Sequence, residues 1–178
     1  MSRAAVIILI VLAVACRKEK IPLSGTATID NRLYESDQAF YALGFSFSSA
    51  SLVRTDRTPS PDISLLAETD AGGNITTVTF NGSPGFEYYP FARYGEYATV
   101  AEAKTAFGSL KTFDPSLHSW VELARPLAVN QVWLFITPGE RYAKLRIVEI
   151  ETGVRDDRPY AECTFEWAFQ PAGTTTFP

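Results

Sequence analysis

Apolar and polar side chains exchange places at every second residue in several short stretches, the period of strands that bury one face. In LGFSFSS, Leu43, Phe45 and Phe47 point one way while Gly44, Ser46 and Ser48 point the other. DISLLAE sets Ile63, Leu65 and Ala67 on one face. ITTVTFNG joins Val78 to Phe80 ahead of an expected turn at Asn81-Gly82, and residues 69–74 supply the loop before it, so these two runs predict a hairpin. QVWLFIT is apolar on both faces and predicts a central strand. The turn Pro138-Gly139 then leads into RYAKLRIVEI, a second hairpin. After TGVRDDRP, the run AECTFEWAFQ places Cys163, Phe165, Trp167 and Phe169 on one face, against Thr164, Glu166 and Gln170 on the other. TVAEAKTAFGSL departs from this period: Val100, Ala103, Phe107 and Leu110 recur at helical spacing, and Thr99 with Glu102 forms a capping box. Runs of strands without alternating helices do not build a parallel sheet. The pattern therefore predicts an all-β domain over residues 25–178, an antiparallel β-sandwich or open barrel with one short α-helix.

The front of the chain follows a different rule. Arg3 precedes the apolar run Ala4–Ala15, which as a helix rises only about 18 Å against a hydrocarbon core of about 30 Å. That is too short to span and has the layout of a secretory leader, residues 1–15. Leu12-Ala13-Val14-Ala15-Cys16 resembles the lipobox of bacterial lipoproteins, which implies cleavage before Cys16, acylation of its sulfur and a lipid anchor in the membrane. Residues 16–24, charged and then carrying Pro22, read as the lipidated cysteine and a flexible tether. The expected location is the outer membrane, on its periplasmic face or the cell surface. An ordinary leader with a coincidental cysteine is the alternative, and it leaves Cys16 and Cys163 able to pair.

Composition narrows the chemistry. Sixteen basic residues against 20 acidic ones give a formal net charge of −4, and the only dense basic cluster is the tether, which argues against a nucleic-acid partner. The 12 Phe, 8 Tyr and 3 Trp suit strands first and a flat ligand second. GFSFSSAS lacks the second glycine of a nucleophile elbow. Cys163 falls among Phe165, Trp167 and Phe169, the setting of an inert core thiol. His118 is the only histidine, which excludes multi-histidine zinc sites, and Asp156-Asp157 between two arginines reads as a solvated turn. No catalytic residue and no metal ligand set is singled out. Two stretches remain as binding candidates. DPSLHSW carries His118 and Trp120, where the histidine is either a haem ligand or a capping residue in a loop. SPGFEYYPFARYGEY crowds Tyr88, Tyr89 and Tyr94 into an expected aromatic loop, which is either a binding surface or ordinary core filling.

VWLFITPGERYAKLRIVEI followed by YAECTFEWAFQPAGTTTF resembles the HmuY-like family of lipid-anchored envelope proteins, and YALGFSFSSA and PDISL stand where that family has its early strands. The resemblance implies an all-β fold and, for characterised members, capture of haem by two axial histidines or methionines. Here His118 is the sole histidine and Met1 the sole methionine, so one chain lacks such a pair. Residues and resemblance together imply a non-enzymatic outer-membrane lipoprotein without a resident cofactor. It would serve as a ligand-binding or accessory module beside an envelope transporter or assembly. The alternatives are a haem-binding lipoprotein and a structural subunit of an outer-membrane complex.

Overall fold

A computed structural model describes residues 20–36, 39–82 and 89–178. The leader, Cys16 and Tyr88 lie outside the described residues. Residues 20–23 are exposed and irregular, and β1 (Ser24–Asp30) begins one residue before the expected domain boundary. β2 (Tyr34–Ser36) and β3 (Ala39–Tyr41) form a small hairpin, followed by β4 (Leu43–Ser46), β5 (Ser51–Arg54), β6 (Ile63–Thr69) and β7 (Ile75–Gly82). β8 (Phe91–Glu96) precedes α1 (Val100–Ser109), a 3₁₀ turn at Pro115–Leu117, and the short β9 (Trp120–Val121) and β10 (Leu123–Ala124). β11 (Gln131–Ile136), β12 (Tyr142–Arg155) and β13 (Arg158–Gln170) complete the chain.

All pairings are antiparallel, in a six-stranded sheet ordered β1-β13-β12-β11-β8-β9 and a five-stranded sheet ordered β10-β7-β6-β4-β5. The architecture is the sandwich rather than a closed barrel. Its alternating residues meet in the middle: Phe165 of one sheet sits 5.6 Å from Phe45 and 5.4 Å from Phe80 of the other, both edge to face. Cys163, Phe165, Trp167 and Phe169 are buried on that face, as the period-two pattern requires.

β11 is buried on both faces because it lies between two layers. Trp133 and Phe135 face the other sheet, while Val132 and Leu134 join Ala92, Leu110, Phe113 and Phe177 in a second core outside the six-stranded sheet. α1 covers that second core. Its capping box is formed, with Thr99 Oγ1 accepting from the Glu102 N–H and Glu102 Oε2 accepting from the Thr99 N–H. At its other end the buried Lys144 ammonium donates to the carbonyls of Phe107 and Leu110, both at 2.7 Å. Burial, with Lys111 nearby, pulls that amine down to about 8. Gly44 packs against the Ile63 carbonyl so closely that a β-carbon would also lie 2.7 Å from the Pro61 ring.

Two local expectations are corrected. Asn81-Gly82 is strand rather than turn, since Asn81 is paired to Ser64 on one side and to Leu123 on the other. The expected turn at Asp156-Asp157 is present, with φ of 51° and 58°, and β12 and β13 run up to it on either side. The second half of the expected aromatic loop is β8, held by β11 and β9. Among the described residues, no helix is long and apolar enough to cross a membrane.

Candidate functional site

The chain changes sheets at a single residue. Val121 closes an edge strand of the six-stranded sheet, Leu123 opens an edge strand of the five-stranded one, and Glu122 lies between them. Neither short strand is long enough to close this corner of the sandwich. A cleft of about 680 Å³ opens there, lined among others by Arg93, His118, Val121, Glu122, Arg125 and Trp133. That volume is in the range of small-molecule sites, about 300–1,000 Å³.

A buried amide anchors one wall. Gln131 Oε1 accepts from the Trp133 indole N–H at 2.9 Å and from the Ala128 backbone N–H at 3.0 Å, while its Nε2 donates to Glu96 at 3.1 Å. The same Glu96 oxygen accepts from Arg93, whose guanidinium stands 5.8 Å from the Trp133 ring centre. The indole is thereby fixed in plane, with a cation over one face. A β-bulge adds to this: Val132 opposes Gly95 but Trp133 opposes Arg93, so Tyr94 is the extra residue, turned toward the outer layer.

His118 ends the 3₁₀ turn. Asp114 caps the start of that turn, accepting from the Ser116 N–H at 2.9 Å and its hydroxyl at 2.7 Å, and these bonds hold its carboxyl below the usual range. The half-buried imidazole lies between Tyr94, 5.9 Å away centre to centre, and Phe113, 6.0 Å away. On the far side of the cleft the exposed Arg125 pairs with Glu68 at 3.0 Å.

The structure brings Tyr94 and His118 together and places His118 on the cleft. Trp120 is half-buried against the outer core, its indole N–H donating to the Pro115 carbonyl at 2.9 Å. Tyr89 is 62 % exposed and does not line the cleft. Arg93, Arg125 and Trp133 are the residues that sequence reasoning missed. Trp133 carried a signal, as the one indole in a strand that otherwise reads as aliphatic and Phe core, two residues after the polar Gln131. The arginines carried none, because only the sheet crossing at Glu122 brings them together.

The lining offers an imidazole, two guanidinium groups and the Glu122 carboxylate, with the buried Trp133 indole behind them. An imidazole and two guanidinium groups are chemically suited to a ligand with an anionic substituent. Both arginine ion pairs are exposed, worth about 0–1 kcal/mol each, and an incoming anion can replace either carboxylate. Elsewhere, Cys163 is buried in the apolar core, and that burial pushes its thiol well above its ordinary range. Among the described residues, no three His, Cys, Asp or Glu side chains are grouped to hold a metal ion. No protein-family model and no curated protein matches this chain.

Proposed function

We propose that this chain is a non-enzymatic binding module, tethered to the bacterial outer membrane through an acylated Cys16, and that the cleft beside His118 is its ligand site. One observation carries the reading: Arg93 of β8, His118 after the 3₁₀ turn, Arg125 after β10 and Trp133 of β11 line one opening. The half-buried imidazole ring and the two guanidinium groups together suit a flat anion better than either does alone. The tether follows from the leader and lipobox pattern of residues 1–16.

Haem is the first ligand to test. It is a flat dianion, His118 supplies one nitrogen ligand, and the HmuY-like resemblance of the last strands points the same way. Titration of the full chain in detergent with haemin should shift the Soret band. His118→Ala should remove that shift, with unchanged circular dichroism verifying the fold of the variant. An unshifted band removes haem from the reading. A stoichiometric envelope protein that survives gentle detergent purification, with no small-molecule binding, would instead favour a structural subunit. Intact mass of the native chain checks the anchor, since acylation at Cys16 requires loss of residues 1–15.

A further inference from the structure

A second cleft, about 650 Å³, opens beneath the β2–β3 hairpin. The hairpin roofs it, and the tip of the β12–β13 hairpin and the end of β6 form its walls. The frame is held firmly. Asn31 donates from its side chain to the Pro159 carbonyl at 3.2 Å, accepts from the Ala161 N–H at 2.9 Å, and sends its own backbone N–H to the Ala161 carbonyl at 3.1 Å. Asp30, 8 % exposed, accepts from the Arg32 backbone at 3.1 Å and from its guanidinium at 2.7 Å.

Aromatic rings and guanidinium groups alternate along this frame. Arg54 lies 3.7 Å from the Tyr41 ring centre, and Tyr41 stacks on Tyr34 at 5.5 Å and 20°. Arg32 stands 5.3 Å from Tyr34 and 6.0 Å from Tyr160, and Arg155 covers Tyr160 at 3.8 Å. The Tyr160 hydroxyl donates to Glu162 at 2.5 Å, and burial pushes the phenol up to about 12, so the ring stays neutral.

We propose that this cleft binds an acidic sugar of the uronic type. Three features select that chemistry. Arg155 and Arg158 face each other on the last rung of their hairpin, line the cleft, and have no carboxylate ion-pair partner among the described residues. Two like charges on facing positions repel, and a bound carboxylate relieves that repulsion while accepting from both. Phe40 and Leu33, 64 % and 59 % exposed, offer apolar surface to the C–H face of a pyranose ring. Glu35, Asp156 and Thr69 also line the cleft and accept hydrogen bonds from hydroxyl groups. The two carboxylates among them disfavour a compact polyanion such as phosphate, and leave a singly charged, hydroxyl-rich ring as the complementary ligand. β1 runs about 20 Å from the tether to Asp30 beside the cleft, so the opening lies at the end of the domain away from the anchor.

Isothermal titration of the full chain in detergent with the methyl glycoside of galacturonate, and with its methyl ester, tests this. The acid should bind and the ester should bind at least about tenfold more weakly, the effect of one charge-assisted contact. Arg158→Ala should impose a similar loss, and Phe40→Ala should weaken acid and ester alike. Both side chains are exposed, and unchanged circular dichroism verifies the fold of each variant. No binding of the acid at millimolar concentration, equal affinity for the ester, or binding untouched by both variants overturns the proposal.

Discussion

At the scale of single residues, the buried polar groups are the most informative. Lys144 is 3 % exposed yet carries two carbonyls of the last turn of α1, with the Phe107 and Phe177 rings 4.6 and 5.1 Å from its nitrogen. Its amine titrates at about 8 in the fold, below its ordinary value of 10.5. Between those two values the unfolded chain keeps a proton that the folded chain has released, so this residue makes stability rise with pH across that window. Urea melts of the wild type and Lys144→Met between pH 7 and 10 should therefore diverge above pH 8 in favour of the wild type. A constant difference would show that the amine does not titrate there. Cys163 and the Phe residues beside it were legible as core from alternation alone. Lys144 was not, since its burial comes from a helix that crosses over its strand, and nothing near position 144 in the chain announces that.

Among elements, legibility followed the strength of the local pattern. α1 was read correctly because its capping box and apolar spacing lie within twelve consecutive residues. Thr99→Ala removes an acceptor for a terminal N–H and should cost about 1 kcal/mol, read as a lower urea midpoint with an unchanged slope. β8 was hidden by the density of aromatic, Pro and Gly residues around it, which reads as loop until β11 and β9 are seen to claim its backbone. Asn81-Gly82 misled for a related reason, as local turn preference gave way to two flanking strands. The His118 cleft was half visible. Its histidine stood out as the only one, whereas Arg93 and Arg125 depend on a chain crossing that has no local signature.

For the whole molecule, stability depends on contact between the two sheets. Phe165 touches both Phe45 and Phe80 across the gap and is fully buried. Phe165→Ala should cost about 3–5 kcal/mol, through lost burial and a cavity shared by both sheets. Urea denaturation should show this as one cooperative transition at a lower midpoint. Two separated transitions would mean that the layers fold independently.

The first strand also has a mechanical meaning. β1 lies antiparallel to β13, with Ser24 opposite Ala168 and Asp30 opposite Glu162, so its leading end and the Arg155–Arg158 tip point away from each other. Traction applied between residue 20 and that tip loads the ladder in shear. All of its rungs then resist together, instead of opening one by one as in a zipper.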